Sequence, residues 1–564
     1  MNADIAAVFE EIADRLELQG DNPFRIRAYR NAARTLTATT RDVRDILEKT
    51  GELPKMPGIG ADLAAKIREI VTTGHCALLD RLRHDMPQTV TDLLQIPGLG
   101  PRRVRLLYHD LGIASVEQLD RAARDGRIRG LPGFGEKTEQ HILDATRAHL
   151  NKTRRFLWAE AAPSAQAVCA ALAAIAGVGQ VTVAGSFRRR RDTVGDLDVL
   201  ATAAPAQAAA VIDRFTHDHE VAEILSAGDT RASVVLRNGL QVDLRVVAAQ
   251  SYGAALHYFT GSKAHSIALR RLAQAKGLKI NEYGVFRGAT RVAGADEASV
   301  YASVGLPYIE PELRENTGEI DAARLGRLPH LVDRPDLAGD LHAHTTAGDG
   351  SAALRDMALA AQRSGLRYLA IAQRLDAQQL QRQSDDIDRL NAELGGVTLL
   401  KGVEVSIRQD GRLDLPDAVL ARLDLVVAAV HDDFDLPRQQ QTERMLRAMD
   451  HPHFTILAHP SGRRIGTRPP MDVDMPRLIR HANQRGCFLE LNAQPDRLDL
   501  DDTHCRMAKE EGVLVSISAD ARATTDFSRL DGGIGQARRG WLEAGDVLNT
   551  RPLSALRPLL QRTM

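Results

Sequence analysis

Residues 185–200 read GSFRRRRDTVGDLDVL, and this stretch decides how the centre of the chain folds and what chemistry it supports. A Gly-Ser turn follows the strand-like run VTVAG, a run of arginines comes next, and Asp196 and Asp198 then stand in a strand-like segment. Residues i and i+2 of a strand face the same side, so the two carboxylates point one way. Converging carboxylates of this kind suit two Mg²⁺ ions about 4 Å apart that stabilise phosphoryl transfer.

A third acid on a neighbouring strand would complete such a site, and Asp243 inside LQVDLRVV is well placed for it. A lone Asp-x-Asp is usually a solvated pair at a strand edge. Here the Gly-Ser turn, the arginines and the second strand acid follow one another in order, which favours a catalytic site. Apolar β-branched runs mix with helical segments from about Lys152 to Pro311, so we predict an α+β domain around it.

Apolar residues at helical spacing predict an almost entirely helical region from Met1 to about Leu150. It repeats one turn, as PGIG at 57–60, PGLG at 97–100 and PGFG at 132–135. Glycines let the backbone approach a phosphate, and the following helix offers free N–H groups. One copy fits a helix-capping loop equally well, but three favour DNA-backbone binding without sequence readout. The candidate contacts, which resemble helix-hairpin-helix motifs, are Gly58, Gly60, Gly98, Gly100, Gly133 and Gly135.

Four stretches carry a family resemblance: GSFRR, GDLDVL, QVDLRVV and YFTGSKAHSIALRRLAQAKGLKINEYGVF, which begins at Tyr258. They resemble the family X DNA polymerases, which are related to DNA polymerase beta, and the match runs from Met1 to about Leu306. The resemblance implies a helical lyase-like domain, then fingers, palm and thumb. It also implies template-directed filling of short gaps in gapped or primed DNA, in base excision or end-joining repair, from dNTPs and with Mg²⁺ or Mn²⁺.

The resemblance also assigns residue roles. Asp196, Asp198 and Asp243 would hold the catalytic metals, with Asp243 nearest the primer hydroxyl. The positions implied around the incoming nucleotide and its template are Gly185, Ser186, Arg189, Arg155, Tyr258, Phe259, Gly261 and Arg270. Two positions depart from the family: Ser266 replaces a usual asparagine, and Gln241 stands where polymerase beta has an arginine. Neither change removes a metal ligand, so we expect polymerase activity, with fidelity as the property affected.

The segment NPFRIRAYRNAARTL, residues 22–36, places basic and aromatic residues at a helix start and suits a 5′-phosphate pocket. By resemblance the candidates there are Arg25, Tyr29 and Arg30. Lys66 falls where lyase-active family members keep a Schiff-base lysine, which must be deprotonated to attack a sugar aldehyde. A solvated helix lysine is the alternative, and Asp62, which replaces a lysine of polymerase beta, weakens the lyase hypothesis.

The C-terminal part alternates strand-like and helical segments from Gly339 onward, which predicts an α/β barrel or a related parallel sheet. His342 and His344 stand at i, i+2 at a strand end, a spacing that aims both imidazoles at one ion. Further acids and histidines end later predicted strands, which is where α/β barrels place functional residues. These are Glu404, His431, His459 and Asp520.

This region resembles the PHP (polymerase and histidinol phosphatase) domain, a distorted seven-stranded barrel with up to three metals that hydrolyses phosphodiesters or phosphomonoesters. The resemblance divides the ligands among ions: His342, His344, Glu404 and Asp520 for the first, and Glu404, His431 and His459 for the second. The third would need Asp349 and two histidines, but those two positions are Arg374 and Arg522, and Gln373 replaces a further aspartate. Arginine cannot donate a lone pair to a metal. We therefore predict up to two divalent ions (Zn²⁺ or Mn²⁺) and weak or no exonuclease activity.

The chain has 564 residues, which favours several domains. The predicted domains are a helical lyase-like DNA-binding domain (1–85), fingers (86–151), a nucleotidyltransferase palm (152–250), a thumb (251–318), a linker (319–336) and a PHP metal-hydrolase-like domain (337–564). Four cysteines without a CxxC spacing argue against a disulfide framework or zinc finger. With no apolar run long enough to span a membrane and acids where a signal peptide needs bases, we expect a cytoplasmic monomer.

Two other functions fit parts of the sequence. One is a PHP phosphoesterase whose N-terminal half only binds DNA, and the other is a non-catalytic repair scaffold. The intact aspartates and the altered barrel histidines favour a polymerase over the first. A scaffold needs neither the three aspartates nor the YFTGS segment at Tyr258–Ser262.

Overall fold

The computed structural model describes residues 2–38, 43, 46–47, 52–53 and 56–561. It forms two compact units, Met1–Arg154 and Arg155–Met564. Elements are numbered below in chain order among the described residues. No helix in that part of the chain is long and apolar enough to cross a membrane, and all four cysteines are free thiols.

The first unit is all-α, as predicted. Its helices are α1 (Asn2–Gln19), α2 (Pro23–Ala38), α3 (Ala61–Thr73), α4 (Ala77–Asp85), α5 (Gln88–Asp92), α6 (Pro101–Leu111), α7 (Val116–Arg124) and α8 (Glu136–Thr153), with a 3-10 turn at Leu93–Gln95. One apolar core lies between α1 and α2, where Ile5, Phe9 and Ile12 are fully buried at helical spacing. A second core is built around Leu107 and Leu119.

The repeated Pro-Gly turns share one backbone shape. Gly58, Gly98 and Gly133 have φ of +78°, +88° and +82°, the left-handed region in which a Cβ is strained. The second glycine of each turn immediately precedes a helix; Gly60 and Gly100 cap α3 and α6. Each of the three Pro-Gly motifs is therefore a tight turn that leads directly into a helix.

The second unit begins with an α+β region. Its elements are β1 (Phe156–Leu157), α9 (Trp158–Ala173), β2 (Val181–Val183), α10 (Gly185–Arg188), β3 (Thr193–Val194), β4 (Asp196–Thr202), α11 (Ala208–Thr216), β5 (Val221–Ala227), β6 (Arg231–Leu236) and β7 (Gln241–Val247), with 3-10 turns at Pro205–Gln207 and Ala249–Ser251. The main sheet has the order β2-β4-β7-β6-β5, and β4 and β7 run parallel in its centre. Leu197, Val199 and Val242 point into the core, so the alternate residues of the same strands form an opposite, polar face.

A smaller helical layer with a three-stranded sheet follows. It contains α12 (Tyr252–Thr260), α13 (Lys263–Ala275), β8 (Lys279–Asn281), β9 (Gly284–Arg287), β10 (Thr290–Ala293) and α14 (Glu297–Ser303), with a 3-10 turn at Pro311–Leu313. Its core centres on Leu269, Val300 and Tyr301.

The stretch 319–336, for which the sequence predicts a linker, is folded onto its neighbours. It contains α15 (Glu319–Arg324) and a 3-10 turn at Arg334–Asp336. Val332 is fully buried, and its N–H donates to the carbonyl of Leu542 at 2.9 Å. The few apolar residues of this polar stretch supply its packing, and its role as the linker between thumb and barrel stays a prediction.

The C-terminal region is the predicted (β/α)7 barrel. Its elements are β11 (Gly339–Ala343), α16 (Leu354–Arg363), β12 (Tyr368–Ile371), α17 (Ala377–Glu393), β13 (Thr398–Ser406), α18 (Asp417–Leu420), β14 (Leu425–Ala429), α19 (Arg438–Met449), β15 (Ile456–Leu457), α20 (Met475–Arg485), β16 (Phe488–Asn492), α21 (Asp502–Glu510), β17 (Val515–Ser518), α22 (Leu530–Arg539) and α23 (Leu553–Gln561), with 3-10 turns at Asp526–Arg529, Ala544–Asp546 and Leu548–Thr550. The seven parallel strands follow chain order, and a parallel bridge between Ala343 and Ala521 brings β17 back to β11.

Candidate active sites

The three predicted catalytic aspartates lie on the polar face of β4 and β7. In the parallel register, Asp198 is paired with Asp243, and Asp196 with Gln241. We call Asp196, Asp198 and Asp243 the aspartate face. Gly185 lies against it with φ of +60°, and a Cβ there would stand 2.3 Å from Oδ2 of Asp198, so only glycine fits.

Neighbouring arginines compensate the negative charge of the aspartate face only in part. Burial, followed by the charges of Asp196 and Asp243, raises the pKa of Asp198 to about 7. Burial and the Asp243 charge also raise the pKa of Asp196. The amide of Gln241 donates to Asp243, with its Nε2 3.1 Å from Oδ2 and 3.3 Å from Oδ1. That contact orients the carboxylate without neutralising it, and a set of carboxylate oxygens fits Mg²⁺ or a similar hard cation.

The arginines of residues 188–191 have separate surroundings. Arg188 bridges to Glu297 with Nη2 2.6 Å from Oε2, and buried Arg314 contacts the other oxygen of the same carboxylate. Arg190 lies over the ring of Trp158. Arg189 lies beside Gly261, with its Nη1 3.2 Å from the position that a Cβ on Gly261 would take. The positive charge of Arg189 partly offsets the rise in the pKa of Asp198. Arg189 is therefore the arginine of this run whose charge is felt at the aspartate face.

Among the remaining predicted nucleotide residues, Arg155 and Phe259 are linked to the aspartate face, Arg155 through its charge and Phe259 through Arg245. Arg155 hydrogen-bonds Thr193 through Nε (2.7 Å to Oγ1), and its charge acts on Asp196. Phe259 stacks under the Arg245 guanidinium at 4.4 Å, and Tyr258 meets its edge and is partly exposed. The other two, half-buried Ser186 at the start of α10 and Arg270, whose Nε donates to the Ser266 carbonyl within α13, make no contact here with the aspartates.

In the N-terminal unit, Lys66 is tied to Asp62, with Nζ 2.6 Å from Oδ1. Burial alone would lower the pKa of Lys66, but Asp62 and Tyr29 outweigh it and raise that pKa. Tyr29 is buried against Phe9, while Arg25 pairs with Asp21 at 2.7 Å. Arg30 pairs with Asp14 and Glu17. The two predicted phosphate arginines are therefore paired with acids in the free protein.

The barrel histidines converge on one carboxylate oxygen. Oε1 of Glu404 lies 3.0 Å from Nε2 of His431, 3.7 Å from Nε2 of His459 and 3.9 Å from Nε2 of His342. The ligand atoms of two overlapping groups each fall within 4.8 Å of one another: His342, His344 and Glu404, and Glu404, His431 and His459. We call these five residues, with Asp520, the barrel cluster.

The barrel cluster has the chemistry of a divalent metal site. Nε2 of His342 is buried and has no hydrogen-bond partner among the described residues, while its Nδ1 lies 2.7 Å from Glu490. His431 likewise contacts Ser406 through Nδ1. A partner on one ring nitrogen that leaves the other for the ion is the usual arrangement of metal-binding histidines. Although burial lowers the pKa of His342, the carboxylates of Glu490 and Asp520 raise it to about 10. The cluster therefore has an excess of negative charge, which a bound cation would balance.

The predicted third metal position does not suit a cation, because the guanidinium of Arg522 lies among its acids. Its Nε lies 3.1 Å from Oδ2 of Asp349, and its Nη1 lies 2.8 Å from Oδ1 of Asp520. Nδ1 of His344 also lies 2.6 Å from Asp349. Arg374 is exposed. The guanidinium thus pairs with Asp349, the predicted ligand of a third ion, and with one oxygen of Asp520.

Some residues of the barrel site were missed from the sequence. Glu490 is fully buried on β16, contacts His342, and accepts from the backbone N–H of His459 at 2.9 Å. Asp340 accepts from the N–H groups of His342 and Ala519. The signal was present: each is an acid inside a fully buried strand, in FLELN and GDLHA.

Three carboxylates on the polar face of two parallel strands, beside a glycine turn, are the arrangement of a nucleotidyltransferase, here joined to a barrel whose histidines and acids could hold metal ions. The chain matches four family models: helix-hairpin-helix domain over residues 1–76, SAM-like helix-hairpin-helix tandem over 90–148, DNA polymerase beta palm over 155–252 and DNA polymerase beta thumb over 255–315. The chain belongs to the family X DNA polymerases, in the bacterial group with a C-terminal PHP domain.

Relatives cover both halves of the chain. A Bacillus subtilis protein named DNA polymerase/3′-5′ exonuclease PolX is 36% identical over 99% of both chains. Rat DNA polymerase lambda is 28% identical over 56% of this chain and 56% of its own length. A probable phosphatase of Thermoanaerobacter sp. is 26% identical over 37% of this chain and 89% of its own length.

Proposed function

We propose that this protein is a template-directed DNA polymerase that fills short gaps during DNA repair, with nucleotidyl transfer at the aspartate face. The observation that carries the proposal is the parallel register of β4 and β7, which sets Asp198 beside Asp243 on a face shared with Asp196. Two Mg²⁺ or Mn²⁺ ions bound there would activate the primer hydroxyl and offset charge on the triphosphate. Asp243 is the carboxylate that we assign to the primer side.

The chain's own residues would bind and orient the nucleotide. Arg189 offers its guanidinium to the triphosphate. Gly185 allows the backbone to approach the bound phosphates, since no side chain blocks it. Tyr258 and Phe259 provide the surface for the sugar. Arg155, Ser186, Gly261 and Arg270 complete the set proposed for the nucleotide and its template.

We assign the N-terminal hairpins to the DNA backbone. Gly133 is favoured by its own φ of +82°, whereas at Gly60, Gly100 and Gly135 an added Cβ would meet open space, so internal packing does not require those three glycines. Close approach of a phosphate gives a reason for them. The proposed order is a lyase-like domain (1–85), fingers (86–151), palm (152–250), thumb (251–318), a connecting segment (319–336) and the PHP barrel (337–564). The cytoplasmic monomer expected from composition stays a prediction.

For the barrel, we propose two divalent ions, Zn²⁺ or Mn²⁺, held by the barrel cluster, with Arg522 in place of the third. Asp349, the remaining ligand of that position, is bound to His344 and Arg522 instead. Hydrolysis of phosphodiesters is then weak or absent, and the domain serves as a structural or DNA-holding module. Two metals alone support phosphodiester cleavage in principle, so a residual nuclease is the second candidate function.

The deciding experiment is primer extension on DNA with a one-nucleotide gap, with Mg²⁺ or Mn²⁺ and all four dNTPs. A polymerase adds the templated nucleotide. A PHP phosphoesterase with a DNA-binding N-terminal half would only shorten the primer, and a scaffold would leave it unchanged. Either of those results would contradict the proposal.

A further inference from the structure

Glu315, just beyond the 3-10 turn at Pro311–Leu313, holds the proposed nucleotide arginine in place. Nε of Arg189 donates to Oε1 of Glu315 at 2.9 Å, and Nη1 of Arg189 donates to the carbonyl of Thr260. Arg189 is 14% exposed and Glu315 22% exposed, so the contact is largely sheltered from solvent. Among the described residues, no acceptor is placed on the remaining nitrogen, Nη2.

The same carboxylate oxygen is also contacted from the barrel. Arg539, at the end of α22 and 2% exposed, places Nη1 3.4 Å from Oε1 of Glu315, and its Nη2 is paired with Asp502 of α21. Arg191 adds a longer contact of 3.8 Å. These three guanidinium groups share two carboxylates, Glu315 and Asp502, so one positive charge is left unmatched around Arg189.

We propose that Glu315 is a positioning residue for the incoming nucleotide and that Arg539 makes the barrel part of the nucleotide site. Fixing two nitrogens of Arg189 removes most of the freedom that a long side chain would lose on binding a triphosphate. Arg539 fixes Glu315 in turn and keeps it from fully neutralising Arg189. The inference rests on the proposed role of Arg189.

The alternative is that Glu315 and Arg539 only join the barrel to the polymerase half. Arg538 supplies a matched control on the same helix. Its Nε lies 2.7 Å from Glu312, and its Nη1 donates to the Val332 carbonyl at 3.2 Å. Arg538 therefore bridges the same two regions without touching Glu315.

The test is steady-state incorporation of the correct dNTP into a one-nucleotide gap by the full-length protein. The variants are Glu315→Gln, Arg539→Gln, their double variant, Arg538→Gln and Arg189→Gln, each with a thermal melt. We expect Glu315→Gln and Arg539→Gln to raise KM for dNTP about tenfold with kcat nearly unchanged, as for loss of a charge-assisted hydrogen bond. The double variant should resemble the single ones, because both act through one contact. Arg538→Gln should stay within about twofold of wild type.

Equal effects of Arg538→Gln and Arg539→Gln, or loss of kcat with unchanged KM in Glu315→Gln, would overturn the inference. If Arg189→Gln raises KM while Glu315→Gln and Arg539→Gln keep wild-type values, the positioning role of Glu315 and Arg539 is overturned. The nucleotide role of Arg189 would then still stand. An unchanged KM in Arg189→Gln would overturn both the nucleotide role of Arg189 and the positioning role of Glu315 and Arg539. If the glutamine variants do not fold, Glu315→Asp and Arg539→Lys should still raise KM, because each keeps the charge and loses the geometry.

Discussion

The aspartate face and the barrel cluster are both suited to two-metal phosphoryl chemistry, but they are built differently. The aspartate face offers only carboxylates, on one open side of two paired strands. The barrel cluster surrounds a single oxygen of Glu404 with three imidazoles, all within 3.9 Å. Carboxylate oxygens suit Mg²⁺, whereas imidazole suits Zn²⁺ and similar metals.

The two sites also differ in how their charge is balanced. On the aspartate face, burial and the neighbouring acids raise the pKa of Asp198 to about 7. Cations from solution would therefore have to balance the negative charge of this face. In the barrel, burial would raise the pKa of Glu404, but His431 and His459 lower it well below its ordinary value. The hydrogen bond from His344, with a smaller contribution from Arg522, likewise lowers the pKa of Asp349. A site that supplies its own countercharge has less negative charge left for metal ions, and for this reason we propose that the barrel is the weaker catalyst of the two.

The largest expected effect separates the two sites directly. Asp243→Ala should lower nucleotide incorporation by roughly a thousandfold or more, because the primer-side metal loses its ligand. DNA binding and any barrel nuclease should be unaffected. Gap extension and a DNA-binding titration measure this, with Asp213→Ala, an exposed acid on α11, as the control. Near-normal extension by Asp243→Ala would remove the proposed mechanism.

The next prediction concerns the positive charge that Arg374 and Arg522 bring to the barrel. Arg374→His with Arg522→His should raise degradation of labelled single-stranded DNA in Mn²⁺ by at least about tenfold. Removing the guanidinium frees Asp349 and one oxygen of Asp520, and two new imidazoles can then bind a third ion. Metal analysis should find one more ion per chain.

The wild-type protein provides the opposite test. Its degradation of single-stranded DNA should be weak, and His342→Ala should abolish what there is. Robust wild-type degradation that His342→Ala removes would mean that two ions suffice. Gln373→Asp is a poor addition, since the Gln373 amide is buried and bonded to Thr345 and Gln383.

The sequence predicted those features that depend on local spacing. The Asp-x-Asp pair and the strand acid Asp243 follow from strand periodicity, and the hairpin turns follow from their glycines. Individual side-chain contacts of arginines with acids distant in the chain could not be predicted. Arg522 and Asp349 are separated by 173 positions and Arg539 and Glu315 by 224. Only the folded chain shows that Arg522 bridges two acids and that Glu315 holds Arg189.

A smaller effect is expected from a matched pair of glycines in the second hairpin. Gly100 has φ of −91° and open space around its Cβ position, so Gly100→Ala should fold normally yet bind gapped DNA several-fold more weakly, because the methyl group blocks a phosphate. Gly98 has φ of +88°, so Gly98→Ala should instead cost about 1–2 kcal/mol of stability. Thermal melts and binding titrations across a salt series distinguish the two.

Binding by the wild type should weaken log-linearly with salt and should favour gapped over intact duplex. Gly100→Ala should lower affinity at every salt concentration. Equal affinity of wild type and Gly100→Ala for DNA would mean that this turn is only a helix cap.

The smallest effect concerns Lys66. Its charge is balanced by Asp62 within the protein, as the charge of Asp349 is balanced by Arg522. A Schiff base needs the neutral amine, and Asp62 and Tyr29 raise the pKa of Lys66 above its ordinary value despite burial. Less of the amine is therefore neutral at pH 7, and borohydride trapping on a 5′-deoxyribose-phosphate end should be slow and should increase with pH. Asp62→Asn keeps the shape and removes the charge, so it should lower that pKa and speed trapping several-fold at constant pH. Lys66→Ala should abolish trapping in both backgrounds. If neither the wild type nor Asp62→Asn is trapped at any pH up to 9, the domain is a phosphate clamp without lyase chemistry.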